Sequence, residues 1–216
     1  KRKENKKMEK GGRSGSNGST HGKALVINGG CSAPPPSSMS TLAWNYRGLG
    51  NRRTIHALEK IVSSKDPNFI FLMKTKLVLS KMVGIKEGLN RTQGMVVPSK
   101  GRSEGLALLW KKELKVDVQS YSDSHIDAII GQGEDGLQWR LTGFYGNPET
   151  SKREESWLLL KWLSSLNSLP WVCLGDFNEL MNGGEKEGGK ARLVKQMENF
   201  CEVINACNLR DLGYTG

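Results

Sequence analysis

From about residue 39 onward, apolar and polar positions form blocks whose repeat switches several times between two residues and about 3.6 residues. Leu42 to Asn45 reads as a short strand that leads through Arg47-Gly48-Leu49-Gly50-Asn51 into an amphipathic helix. Ile55, Leu58, Ile61 and Val62 share one face of that helix, and Pro67 ends it. Asn68 to Met73 is a buried-looking strand, followed by a loop and a short helix around Ser80 to Gly88. Five β segments come next, separated by turn residues: Gly94 to Pro98, Gly105 to Trp110, Val116 to Tyr121, Ile126 to Gly131 and Trp139 to Tyr145. A longer helix over Ser151 to Leu166, a strand over Trp171 to Asp176, a Gly-rich loop and a helix over Leu193 to Cys207 complete the pattern, the last with Met197, Phe200, Cys201 and Ile204 on its apolar face. Helix and strand units at both ends with hairpins between them predict a layered α/β protein with mixed sheets. No internal repeat at a fixed period is present.

The first 38 residues behave differently. They lack hydrophobic periodicity, are rich in Gly, Ser, Lys and Asn, and end in Ala33-Pro34-Pro35-Pro36-Ser37-Ser38. Such a stretch reads as a disordered basic leader closing on a stiff polyproline spacer, so the expected organisation is a tail over 1–38 and one domain over 39–216.

The charge follows the same division. The chain carries 32 basic and 22 acidic residues for a net +10, and eight basic and two acidic residues fall within the first 23. Basic character favours a polyanionic partner such as nucleic acid, but most of it belongs to the tail. The run Lys1 to Lys7 also suits a nuclear address or a loose nucleic-acid contact. Apolar residues make up 37% of the chain, and with 26 glycines the total is close to the roughly 45–50% of a globular protein, so a packed core is available. Four cysteines, Cys31, Cys173, Cys201 and Cys207, include no C-x-x-C pair, which argues against a disulfide scaffold or structural zinc and fits a reducing compartment. The longest apolar runs, such as Phe69 to Met73, fall far short of the roughly 18 residues of a membrane span. The expectation is a soluble intracellular protein with no membrane partner.

Candidate chemistry concentrates where strands end, because a strand aims a side chain and the following loop opens a site around it. Four such ends stand out: Trp44-Asn45, Lys74-Thr75-Lys76, Tyr145-Gly146-Asn147-Pro148 and Gly175-Asp176-Phe177-Asn178-Glu179. In extended chain Asp176 and Asn178 point the same way and offer a carboxylate and an amide to one pocket. By spacing alone, an Asx turn explains the same residues.

Taken together these segments resemble a known family. Trp44-Asn45-Tyr46-Arg47-Gly48-Leu49-Gly50-Asn51, Phe71-Leu72-Met73-Lys74-Thr75-Lys76-Leu77, Gly101-Arg102-Ser103-Glu104-Gly105-Leu106-Ala107-Leu108-Leu109-Trp110, Thr142-Gly143-Phe144-Tyr145-Gly146 and Gly175-Asp176-Phe177-Asn178-Glu179 occur in the order seen in the endonuclease/exonuclease/phosphatase superfamily. The wording is most similar to the apurinic-endonuclease-type domain of plant non-LTR (LINE) retrotransposons, over about Met39 to Gly216. The resemblance implies a four-layer α/β sandwich of the DNase I type, hydrolysis of phosphodiesters with Mg²⁺ or Mn²⁺, and DNA as partner, with RNA as an alternative. In-line attack by water would have its developing charge absorbed by the metal and by neutral donors. The resemblance gives Asn45 a place at the metal site, Tyr145 a contact to the scissile phosphate, Asp176 the orientation of water, and Asn178 a contact to phosphate. Each has an ordinary structural explanation as well: a capping amide for Asn45, a core aromatic with a wet edge for Tyr145, a turn for Asp176 and Asn178.

Two departures from the family pattern matter. Where the pattern calls for Glu-Thr-Lys, this chain has Lys74-Thr75-Lys76, so an ammonium replaces an oxygen ligand of the metal. At roughly 4 Å and an effective dielectric near 20, each unit-charge interaction is about 4 kcal/mol, so a divalent ion is disfavoured beside Lys74 unless that side chain turns to solvent. The pattern also continues into a Ser-Asp-His segment that this sequence lacks, since His21, His56 and His125 sit in other contexts. The expectation is a degenerate, C-terminally truncated endonuclease domain with little or no nuclease activity. A noncatalytic nucleic-acid-binding remnant and an active phosphatase or deadenylase of the same superfamily are the alternatives. Residues 184–191 fit G-x-x-x-x-G-K but put Ala191 where a nucleotide-binding loop needs Ser or Thr, so this is read as a loop. Its Lys186 and Lys190, with Arg192, are candidate phosphate contacts.

Overall fold

The computed structural model describes the backbone of residues 23–27 and all of 39–45, 49–101, 104–131, 138–183 and 193–212. Among the described residues, ten strands and four α-helices run in the order β1 (Lys23–Ile27), β2 (Thr41–Asn45), α1 (Arg52–Lys65), β3 (Phe69–Met73), α2 (Leu79–Gly88), β4 (Gln93–Val97), β5 (Leu106–Trp110), β6 (Val116–Tyr121), β7 (His125–Ile130), β8 (Trp139–Tyr145), α3 (Arg153–Ser165), β9 (Trp171–Asp176), α4 (Val194–Ala206) and β10 (Leu209–Asp211). A 3₁₀ turn over Thr150–Lys152 leads into α3.

The strands form two mixed sheets. One has six strands in the order β10-β1-β9-β8-β7-β6, and the other has four in the order β2-β3-β5-β4. Parallel pairing is confined to β2 with β3 and β8 with β9, the units that need a helical crossover, and the predicted hairpins supply antiparallel pairs. Between the sheets, alternate residues of both pack into one core. Phe69, Phe71, Leu106 and Leu108 come from the smaller sheet, and Ile126, Ala128, Leu141 and Leu174 from the larger. The outer face of the smaller sheet is covered by Leu58 and Val62 of α1 and Met82 and Ile85 of α2. Trp157, Leu160 and Leu163 of α3 and Phe200, Val203 and Ile204 of α4 cover the other. Helices, sheet, sheet and helices thus make the four-layer α/β sandwich that the family resemblance implied.

Local chemistry sets the element ends. The Asn51 side chain accepts a hydrogen bond from the Arg53 amide at 2.9 Å and caps α1, and Asp66 ends it in a left-handed conformation ahead of Pro67. The α1 face is slightly rotated from the sequence expectation: Thr54, Leu58 and Val62 are buried, whereas Ile61 lies at the edge of the packed stripe, 37% exposed. At Gly143 a Cβ would lie 2.3 Å from the Phe71 ring, so the two sheets approach each other there through hydrogen alone.

The structure departs from the sequence reading at β1. Lys23–Ile27, expected within the tail, forms a strand antiparallel to both β9 and β10. Its Ala-Leu-Val-Ile run has β-branched residues and no charge, and pairing on two sides satisfies its backbone groups. The polyproline spacer, and Lys186, Lys190 and Arg192, lie outside the described residues.

Candidate active site

Three of the strand ends singled out in the sequence meet at one place. Asn45 closes β2, Tyr145 closes β8 and Asp176 closes β9; Tyr145 and Asp176 face each other in the parallel register. The Asn45 amide donates to the Asp176 carboxylate, linking the smaller sheet to the larger. Asp176 is buried. Burial pushes its carboxyl above the ordinary carboxylate range, and the Asn178 backbone N–H, the Asn45 amide and the positive charges of Lys74 and Arg153 offset part of that rise.

Asp176 and Asn178 come together differently from the extended-chain expectation. The Asn178 backbone N–H donates to Asp176 Oδ1 at 2.9 Å, and Asn178 is left-handed at φ 55°, so the two residues form an Asx-type turn. Its side-chain amide donates to the Gly146 carbonyl at 2.7 Å, tying the loop after β9 to the loop after β8. Gly175 is required beside this turn: its φ is 146°, and a Cβ there would lie 1.9 Å from the Phe144 carbonyl oxygen. Behind the turn, Arg153 of α3 forms a buried ion pair with Glu179.

The fourth strand end brings the lysines in. Lys74 follows β3 directly, and its side chain is only 17% exposed, so the solvent-facing alternative does not hold. Its Nζ lies 3.2 Å from Glu104 Oε2 and 5.3 Å from the centre of the Tyr145 ring. The Tyr145 hydroxyl donates to the same Glu104 oxygen at 2.7 Å, and Lys76 Nζ lies 3.9 Å from the other. Burial, reinforced by that hydrogen bond to a carboxylate, pushes the Tyr145 phenol well above its ordinary range, so it stays protonated as a donor. For Glu104, partial burial raises the carboxyl, but the Tyr145 hydroxyl and the two ammonium groups outweigh it and hold the group below its ordinary value.

Glu104 escaped the sequence reading as a site residue. Only its place inside the Gly-Arg-Ser-Glu-Gly segment hinted at a role, because a loop glutamate gains a partner only when β5 is laid beside β3.

The superfamily generally uses divalent metal ions. A hard cation wants several oxygen ligands, preferably carboxylates. Here the Lys74 ammonium borders the site, and no group of three His, Cys, Asp or Glu suited to a metal occurs among the described residues. The donor set does not fit a divalent ion.

Two mixed sheets flanked by helices, with a carboxylate, amides and a tyrosine gathered at their strand ends, make a DNase I-like α/β sandwich. Residues 27–209 match the model of the Endonuclease/Exonuclease/phosphatase family, and the chain belongs to that family. Among solved structures it is similar to the apurinic endonuclease of Leishmania major, at 13% identity and a TM-score of 0.62 over 79% of this chain and 67% of that one. The endonuclease domain of TRAS1, a telomere-specific non-LTR retrotransposon, matches at 12% identity and a TM-score of 0.57 over 82% and 76%. The human Nocturnin catalytic domain with bound sulfate matches at 16% identity and 0.53 over 66% of this chain, and the chain spans 64% of its length. These likenesses establish the shared fold. No curated protein sequence matches the chain.

Proposed function

We propose that this chain is an endonuclease-type domain of the plant non-LTR retrotransposon branch that engages DNA phosphodiesters and hydrolyses them weakly or not at all. The ordered strand-end motifs, the fold shared with an apurinic endonuclease and a retrotransposon endonuclease domain, and the net charge of +10 support the DNA assignment. The observation that carries the low activity is Lys74, paired with Glu104 where the family pattern has a metal-binding carboxylate. In-line attack on phosphorus needs a positioned, activated water, and an ammonium attracts phosphate without lowering the pKa of a bound water as a metal does. Asp176 would orient such a water, and Tyr145 and Asn178 would contact phosphate oxygens.

Nicking of supercoiled plasmid in Mg²⁺ or Mn²⁺, run beside Asp176→Ala, tests this reading. We expect no metal-dependent nicking above the variant, together with DNA retention that weakens steeply as salt rises. Robust nicking that Asp176→Ala abolishes would refute the low activity. Release of inorganic phosphate from a phosphomonoester would favour the phosphatase alternative instead.

A further inference from the structure

We infer that Tyr145, Lys74 and Lys76 form a metal-independent seat for a phosphate-type oxyanion, and that Glu104 fills this seat as a displaceable internal ligand. The inference rests on the reading above, because it concerns the same site and names how an anion is held there.

Three donors from two strand ends converge on one carboxylate. The Tyr145 hydroxyl reaches Glu104 Oε2 at 2.7 Å, Lys74 Nζ lies 3.2 Å from the same oxygen, and Lys76 Nζ is 3.9 Å from Oε1. A carboxylate and a phosphate present the same features to such donors, adjacent oxygens sharing negative charge, and charge-assisted hydrogen bonds serve either. The backbone that carries the two lysines is held without help from Glu104's side chain. Thr75 between the two lysines is fully buried, its N–H donates to the Gly105 carbonyl at 3.2 Å, and its carbonyl accepts from the Leu49 N–H at 3.0 Å. Lys74 and Lys76 both take left-handed conformations, at φ 55° and 51°, which non-glycine residues keep only when the surroundings enforce them. The Glu104 side chain is 28% exposed, more than Lys74 at 17% though less than Lys76 at 54%, so it can swing out without opening the core.

A direct test titrates the full chain in EDTA with inorganic phosphate and, separately, with a ten-residue oligothymidylate, and reads affinity by calorimetry. Glu104→Gln keeps the shape of the plug and removes its charge, so it should bind both probes about tenfold more tightly than wild type. Adding Lys74→Met or Tyr145→Phe to that variant should reverse the gain, and Mg²⁺ in place of EDTA should change nothing. Tyr145→Phe preserves the buried ring, which keeps the test decisive if Lys74→Met fails to fold. Unchanged affinity in Glu104→Gln, no loss in either double variant, or binding that requires a divalent ion would overturn the seat. Phosphate binding that follows the pattern while the oligonucleotide does not bind would uphold the seat and defeat the DNA reading. Oligonucleotide binding insensitive to these substitutions would do the reverse.

Discussion

Asn45 and Asp176, 131 residues apart, are joined by a hydrogen bond from the amide of one to the carboxylate of the other, each at the end of a strand in a different sheet. The bond serves a buried carboxylate whose proton affinity is already raised by desolvation. Asn45→Ala removes a donor from that carboxylate and should lower the unfolding free energy by about 1–3 kcal/mol near neutral pH. Because the folded pKa of Asp176 lies above its unfolded value, the charged form that prevails above the folded pKa costs stability, and protonation relieves that cost as pH falls. The Asn45→Ala penalty should therefore shrink on acidification; urea unfolding followed from pH 8 to below the ordinary carboxylate value of about 3.9 would show it, and a penalty constant across that range would contradict the assignment.

Arg153 and Glu179 pair behind the Asx-type turn, each with its side chain about 5% exposed or less. Removing one partner strands a buried charge. Arg153→Met should cost about 3–5 kcal/mol, and Arg153→Met with Glu179→Leu should recover a large part of it. A double variant no more stable than the single one would mean that the pair's geometry, rather than charge compensation, holds the turn.

His125 is buried, with its ring nitrogens 2.9 Å from the hydroxyls of Ser120 and Ser122. Burial lowers its pKa, the Asp127 charge raising it in part, so the unfolded chain binds the proton more readily than the folded one. Stability should fall as pH drops through about 6.5 toward the folded value. His125→Gln should flatten that slope between pH 7.5 and 5.5, measured by chemical denaturation.

Gly143 faces the Phe71 ring across the interface between the sheets. Gly143→Ala should destabilise by about 1–3 kcal/mol through overpacking, and Phe71→Leu should absorb part of that penalty in a double-mutant cycle. Additive losses would place the strain elsewhere.

Manganese offers a check on the donor set. Electron paramagnetic resonance of the wild-type chain should detect no tight Mn²⁺ site, whereas Lys74→Glu, which puts a second carboxylate near Glu104, should acquire one. Tight Mn²⁺ binding by wild type, lost in Asp176→Ala, would show that Lys74 leaves the site.

Most elements could be read directly from the chain because their signals are local. β6, β8 and β9 have the bounds predicted from alternating or continuous apolar runs, and α1 begins and ends at a cap and a proline that the sequence displays. Two strands did not announce themselves. β10 is three residues long, and β1 is a short apolar run inside a polar leader; each is a strand because a neighbour supplies its hydrogen bonds.

By itself the sequence determined the strand-end residues Asn45, Lys74, Tyr145, Asp176 and Asn178, and the order of motifs that places the chain in its family. Tertiary structure alone decided that Lys74 turns inward to Glu104, that Asp176 and Asn178 meet through a turn, and that Tyr145 donates across to the loop before β5. Periodicity and capping act over a few residues and leave their mark in the local sequence, whereas the partner of a charged side chain is chosen by sheet register and loop path, which no short stretch of chain encodes.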